Sequence, residues 1–590
     1  MSQVKQSRKP LSTISPNRKI QKKSTRVRAC KPKVQQSGNV PASQPSYIPL
    51  GPRQEHIGQP LLPWEDGWRN INVVQIFELF WDDEVIDVVV EGTNRYAEVK
   101  GAGKMSAEGR VFGRPWKKVT RREIKLFLAI LMYMGAKRGG GIGPGSFWNR
   151  RENTRSIFRA LSFKRFCQIK RYLHISDPQL QLSRTEWFEK LEPLNTMIQS
   201  RCQQFYLPAS NVTIDEMMIR FGGRSHHTYR MPSKPITEGY KVFALCDIGY
   251  TYSWIFASRL NSFVGLVLQE GLTPTGSMVF QLAASLPATS ELHFNLYMDN
   301  YFPSQQLFAK LRERGIGACG TARVNSGAFP PELHDDRKSI PWNEISGGPV
   351  GHEGMVLGVQ WQDNRAVHFL TTIHTLHERV ITERKKPRLT SSNGPAIRRV
   401  FGPIERAKVP IPVITNDYNR YKVGVDVADQ YRSYYFTQLK CLRNWPPIFY
   451  WLLDTTIINT FLLASRLPAQ YRYTGSSRAL RLTLAELLVD QYGHKTPLPR
   501  KAYYTPKTTL PRYSKLQHRV SLSPPTGTKA EHQFFRRGNS KLECAECRFT
   551  LRRAKQKGTR GTLTRFGCHG PGCGFPLCLR CYDSRHECLV

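Results

Sequence analysis

The apolar period of this chain changes once, near residue 210, and that change restricts its architecture more than any other feature. From about residue 70 apolar residues recur at helical spacing, in V-V-Q-I-F-E-L-F-W and then at Val85, Ile86, Val88 and Val89, a stripe that predicts helices packed along one face. T-R-R-E, Thr120 to Glu123, has the form of a capping box opening an apolar helix over Ile124 to Met134. Further helices are expected over Ile157 to His174 and Trp187 to Phe205, with Pro208 closing the run. Beyond 210 the period is two. Strands are expected at Val212 to Phe221, Tyr240 to Asp247 and Tyr252 to Ala257, followed by a helix-like segment and a strand within Glu291 to Phe302. Next come a helix with Ser304 as its cap and Gly315 as its stop, and the short strand A-C-G-T-A-R.

Three strands, helix, strand, helix, strand is the order of an RNase H-like α/β domain. The expected organisation is a disordered basic arm over 1–65, a helical N-terminal domain over 66–209, and the first part of an RNase H-like catalytic domain over 210–325. An insertion of short β-like runs is expected over 326–415, and the last part of the catalytic domain with a helical DNA-binding region over 416–494, a dimerisation part being expected among the helices. A basic linker over 495–540 and a small cysteine-rich domain over 541–590 complete the chain. The arm contains no acid before Glu55, and its composition cannot bury enough apolar surface to order itself. Lys and Arg number 87 against 45 Asp and Glu, a formal charge of +42; a chain so self-repelling points to a polyanionic partner, double-stranded DNA above all. The longest apolar run, broken by Lys125, is shorter than the roughly 20 residues a bilayer requires, so no membrane partner is expected. The opening residues lack the apolar core of a secretory signal, and a reducing compartment is expected.

Two features imitate catalytic motifs. Asp82-Asp83-Glu84 supplies three consecutive acids, but consecutive residues on a helix diverge by about 100 degrees, while acids in a first turn suit the helix dipole; a helix start is expected there. The run Gly139 to Ser146 lacks the Lys-Ser/Thr of a phosphate loop and is expected to be a connector. The informative acids lie elsewhere. Asp215 stands in the middle of the strand N-V-T-I-D-E-M-M-I-R-F, where a strand least favours a carboxylate, Asp299 ends a later strand, and Asp426 opens a helix in V-G-V-D-V-A-D-Q with Asp429 one turn on. If the first and fourth strands are neighbours, Asp215 and Asp299 lie side by side and a crossing helix brings Asp426. Three such carboxylates could hold two Mg2+ (or Mn2+) ions for phosphodiester chemistry.

V-T-I-D-E-M-M, M-D-N-Y-F-P-S and G-V-D-V-A-D-Q resemble the three acid blocks of the piggyBac transposase family. The likeness extends through E-G-T-N-R-Y-A, Y-L-H-I-S-D, K-P-I-T-E-G-Y-K, G-T-A-R and R-N-W-P, and covers roughly residues 70 to 590. It implies catalytic, metal-holding roles for Asp215, Asp299 and Asp426, and an accessory one for Asp429. Trp445 matches an aromatic the family places near the active site, and with Arg443 it is expected to contact DNA. The implied reaction is nicking at transposon ends, hairpin formation and insertion at TTAA sites by a nuclear homodimer. Val423 and Pro303 depart from the family pattern, where glycine and threonine are usual.

Seven of the 13 cysteines fall between Cys544 and Cys588. C-A-E-C followed by Cys568, Cys573, Cys578, Cys581, His586 and Cys588 is a zinc signature, since tetrahedral soft ligands can order a segment too small for its own core. An interleaved arrangement would pair Cys544 and Cys547 with Cys578 and Cys581, and Cys568 and Cys573 with His586 and one of Cys588, His532 or His569. By resemblance the tail reads transposon-end DNA. The principal functional reading is a metal-dependent cut-and-paste transposase; the alternative is a domesticated, catalytically silent DNA- or chromatin-binding protein. Intact acids at 215, 299 and 426 favour the first, because mutually repelling carboxylates are costly without a task. A ubiquitin-type adaptor acting through the zinc tail would leave both the charge and the acids unexplained.

Overall fold

The computed structural model describes residues 46–493, apart from 52–53, 64–70, 103–115, 138–143, 149–155, 184, 289–290, 325–328, 330–340, 352–353, 387 and 389–393. Beyond 493 it describes only four strand segments. The chain divides into two units, 1–494 and 495–590.

Helices come first. They are α1 (Val73–Glu78), α2 (Asp83–Val99), α3 (Arg121–Lys137), α4 (Phe163–Tyr172) and α5 (Leu194–Gln204). Their starts follow the local chemistry. Asn72 and Gln75 form a capping box on α1, and Thr120 and Glu123 exchange the same pair of bonds, each 3.3 Å, ahead of α3. Asp82 caps α2 by accepting from Val85 N, with Asp83 and Glu84 in its first turn, so the acidic triplet is a helix start, further tied down by Arg121 and Arg201. The two longer helices expected from the periodicity are each broken. Ile157 to His174 divides at Ser162, which caps α4, and Trp187 to Phe205 divides at Pro193, whose missing N–H ends the turn Trp187–Leu191 ahead of α5.

The sheet strands are β1 (Asn211–Arg220), β2 (Glu238–Asp247), β3 (Tyr250–Ser258), β4 (Asn295–Met298), β5 (Gly317–Thr321), β6 (Ile345–Val350), β7 (Val356–Gln362) and β8 (Ala366–Thr371), in the spatial order β6-β7-β8-β5-β4-β1-β2-β3. Strands β1 to β3 are antiparallel, while β4 and β5 run parallel to β1. Helix α6 (Pro274–Ala283) precedes β4, and α7 (Gln305–Glu313), capped by Ser304 and stopped at Gly315 with φ +74°, joins β4 to β5. Three of the strands expected to form an inserted module instead extend this sheet: β8 pairs with β5, and β7 and β6 continue outward. The free edge of β5 carries unpaired donors and acceptors that these strands satisfy. From the same stretch, β9 (Arg379–Lys385) and β10 (Arg406–Pro412) form a separate ribbon, with α8 (Gly394–Phe401) between them.

The expected disordered arm also ends earlier than residue 65. Leu50 N donates to Thr372 O at 2.7 Å, Ser210 N donates to His56 O at 3.1 Å, and Gln59–Pro60 pairs with Tyr206–Leu207. These bonds fasten the segment to the sheet, and the ring of Tyr47 packs against the cluster of Tyr297, Phe369 and Tyr418.

After β10 come α9 (Val413–Tyr421), α10 (Gly424–Tyr434), α11 (Pro446–Ser465) and α12 (Ser477–Tyr492). Helix α11 has the length and composition of a membrane span, yet 89% of its apolar window is buried. It is the core post between bundle and sheet. Trp81 Nε1 donates to Thr456 Oγ1 at 2.8 Å on the bundle side, while the Asn459 amide brackets the Thr251 backbone at 3.0 and 2.9 Å on the sheet side. Its one acid, Asp454, meets Arg481 of α12 at 3.1 Å with the arginine fully buried.

In the second unit Phe534–Arg536 pairs with Phe566–Cys568, and Leu542–Glu543 with Leu563–Thr564. The backbone of Cys568 is thus part of a strand. The other expected zinc ligands, Cys544, Cys547, Cys573, Cys578, Cys581, His586 and Cys588, lie outside the described residues, as do His532 and His569.

Candidate active site

Parallel pairing of β1 with β4 sets Ile214 opposite Met298. Asp215 is the next residue along β1, and Asp299 is the first residue past the end of β4. Asp215 and Glu216 are the two half-exposed positions in an otherwise buried stretch of β1. Asp215 shares its face with Thr213 and Met217, which meet the α9–α10 corner through the Tyr421 carbonyl and the Arg432 guanidinium.

That corner sets the third acid. Helix α10 lies so close on β1 that a Cβ on Gly424 would fall 2.7 Å from Thr213 Oγ1 and 3.1 Å from Cys246 O; only glycine lets Asp426, two residues on, sit over the strand. Val423 before it has φ −86°, which any L-residue adopts, so this departure from the family pattern strains nothing.

The electrostatics record the grouping. Burial pushes the Asp215 carboxyl up to about 7, with the charges of Glu216 and Asp426 adding to the rise and Lys234 opposing it. Lys234 stands 3.2 Å from Glu216. Burial pulls its pKa down, but the carboxylates of Glu216, Asp215 and Asp426 outweigh that and leave it above the ordinary value. Glu216 also meets Lys241 at 3.5 Å. Asp429, expected as an accessory acid, is paired with the buried Arg432 on its own helix; burial nevertheless keeps its pKa above the ordinary value. Beside these groups opens a cleft of about 1200 Å³ whose walls include Glu216, Lys234, Asp426 and Asp429, with Arg220 and Arg224 further along.

Among the described residues, no three Asp, Glu, His or Cys side chains close around a single ion position. What is present is a spread set: one acid within β1, one just past the end of the neighbouring β4, and a third on a helix felt electrostatically by the first. The donor chemistry fits a hard divalent cation, since all three are carboxylates, and the burial and neighbouring negative charge that raise the Asp215 pKa would be offset by a cation bound there.

Trp445 and Arg443, expected as DNA contacts, are corrected by their surroundings. Trp445 is 2% exposed, edge-on to His174 at 5.7 Å, with the Arg443 guanidinium over its ring at 5.3 Å. Arg443 donates to the carbonyls of Leu173 (2.8 Å) and Lys170 (3.1 Å), capping the end of α4. His174 in turn stacks on Tyr96 at 4.4 Å, and a Cβ on Gly92 would lie 2.4 Å from Ile175 O. Three of the sequence motifs, E-G-T-N-R-Y-A, Y-L-H-I-S-D and R-N-W-P, therefore meet in one structural knot rather than on a DNA surface.

Other residues lie beside the acids without a role having been legible in the sequence. Thr321 Oγ1 is 3.3 Å from Asp299 Oδ1, and Arg323 Nε donates to Asn300 Oδ1 at 3.1 Å. These come from G-T-A-R, as Lys234 comes from K-P-I-T-E-G-Y-K; each motif stood out by resemblance, with nothing local to name its task.

A mixed sheet with an acid within one strand, another just past the end of its parallel neighbour and a third on a crossing helix is a transposase-type arrangement, and comparison bears out the class. Residues 72–461 match the family model described as Transposase IS4, and the chain belongs to this family, in its piggyBac branch. It is 25% identical over 370 residues to human PiggyBac transposable element-derived protein 3, covering 60% of this chain and 55% of that one. It is 24% identical over 404 residues to human PiggyBac transposable element-derived protein 2, covering 67% and 62%. The chain thus spans less than two thirds of either relative. The cryo-EM structure of a piggyBac transposase synaptic complex with hairpin DNA superposes with a TM-score of 0.59 at 20% identity, over 74% of this chain and 83% of that one, a likeness of fold.

Proposed function

We propose that the chain is a metal-dependent DNA transposase that nicks and joins strands at transposon ends and inserts at TTAA sites, working in the nucleus as a homodimer. The observation that carries the reading is the parallel pairing of β1 with β4, which ends at Ile214 opposite Met298, the residues immediately before Asp215 and Asp299, with Asp426 brought over β1 by the close approach at Gly424. In this reading the sheet is an RNase H-like core, and Asp215, Asp299 and Asp426 hold Mg2+ or Mn2+. A hard divalent cation there would supply charge stabilisation for the attacking and leaving oxygens of a phosphodiester.

The chain's own groups prepare the site. Lys234 balances part of the negative charge of the acids, and Arg432 holds Asp429 on the helix, so Asp429 supports the site more than it serves as a ligand. The net charge of +42 favours a polyanion, with the N-terminal arm giving sequence-independent phosphate contacts. Zinc held by the cysteine-rich tail would order a module that reads end DNA.

The test is nicking of a labelled transposon-end duplex in Mg2+, with binding measured in parallel. Asp215→Asn, Asp299→Asn and Asp426→Asn should each abolish nicking while leaving folding and DNA binding intact, and combining them should add little, because ligands of one centre act as a unit. Full nicking by Asp215→Asn would falsify the assignment. DNA binding without cutting by the unaltered chain would point instead to the silent reading.

A further inference from the structure

Asp299 follows the last residue of β4 and is exposed; its carbonyl accepts from Phe302 N at 3.1 Å in a turn, so its backbone is held while its side chain faces solvent. Its Oδ1 accepts from Asn300 N at 2.6 Å and lies 3.3 Å from Thr321 Oγ1 at the end of β5. Thr321 Oγ1 is in turn 3.2 Å from the hydroxyl of Tyr418 in α9. A carboxylate only accepts, and a threonine hydroxyl has a single proton. If Thr321 donates to Asp299, Tyr418 must donate to Thr321, and the chain runs in one direction from phenol to hydroxyl to carboxylate.

The phenol is suited to that end of the chain. Tyr418 is 7% exposed, with its ring against Phe369 and under the Lys422 ammonium. Burial holds its pKa above the ordinary value, and the charge of Asp299 adds to the rise, so it stays a donor. Its helix is anchored independently: Asp417, the preceding residue, lies 3.4 Å from His374 Nε2, and His374 Nδ1 pairs with Thr371 of β8 at 2.8 Å. Helix α9 also leads directly into α10, which carries Asp426.

We infer that Tyr418 is a positioning residue, which through Thr321 fixes the Asp299 carboxylate in register with the helix pair that carries Asp426. The inference rests on the proposed metal-holding role of the three acids. Hydroxyl partners behind metal-ligating carboxylates typically govern affinity by about ten- to hundred-fold, and an exposed turn aspartate is where such support has most to add.

The experiment is titration of the full chain with Mn2+, followed by calorimetry and by the electron paramagnetic resonance signal of free Mn2+, with Asp299→Asn as the reference for loss of the site. Tyr418→Phe keeps the ring and its packing and removes only the donor. It should weaken Mn2+ binding about ten-fold or more while leaving thermal stability and metal-free DNA affinity unchanged. Thr321→Val should do the same, and Thr321→Ser, which retains the hydroxyl, should restore affinity. The threonine pair supplies the answer if Tyr418→Phe fails to fold. Should the unaltered chain bind Mn2+ and Asp299→Asn lose it while Tyr418→Phe and Thr321→Val bind normally, the positioning role is overturned and the proposed function stands. Should the unaltered chain bind no Mn2+ at a site that depends on Asp299, both fall.

Discussion

At the scale of single residues, Asp215 is the group whose environment does most. Its folded pKa of about 7 stands above an ordinary 3.8, so between those values the folded state holds a proton that the unfolded chain has released. Stability of the metal-free protein should therefore be fullest near pH 4 and decline toward pH 7, by on the order of 2 kcal/mol once partial exposure is discounted. Mg2+ should restore it at neutral pH. Urea midpoints across that range check this, with Asp215→Asn expected to flatten the pH dependence; an unchanged slope in that variant would place the effect elsewhere. Glu216 is a different case. Strand alternation turns it away from Asp215, which suggests an idle neighbour, but it pairs with Lys234 and Lys241. Its neutralisation would remove the carboxylate that pairs with both lysines beside the acids.

At the scale of elements, the knot that joins α2, α4 and the start of α11 separates structure from DNA contact. Trp445→Ala should cost about 3–5 kcal/mol, as truncation of a large buried ring does, and Gly92→Ala should cost about 1–3 kcal/mol because its methyl would press on the Ile175 carbonyl. Thermal denaturation should show both losses, whereas DNA affinity of the folded fraction should be unaltered. Selective loss of DNA binding without loss of stability would restore Trp445 to the surface role that resemblance suggests. The buried ion pair within the helical layer makes a similar argument. Arg481→Leu would strand the Asp454 carboxylate in the core and should cost about 3–5 kcal/mol, while the double change Arg481→Leu with Asp454→Leu should recover much of it.

At the scale of the whole molecule, two units and a basic linker suggest that the tail folds by its own means. Chelation of zinc, or Cys544→Ser, should abolish ordered circular dichroism from residues 541–590 and weaken recognition of end DNA, leaving the melting of the first unit unchanged. An apo tail that stays ordered would overturn the zinc assignment. The change of period at 210, the caps at Asp82, Thr120 and Ser304 and the stop at Gly315 were legible in the sequence, because each rests on spacing or on chemistry within a few residues. Tertiary structure alone decided that β6 to β8 extend the sheet, that the segment around Leu50, His56 and Gln59–Pro60 docks on it, that Trp445 is buried with Arg443 bound to the end of α4, and that Thr321 and Tyr418 stand behind Asp299. Those arrangements depend on which edges and faces are left to be satisfied once separate segments meet, and no local pattern encodes a partner that lies in another element of the chain.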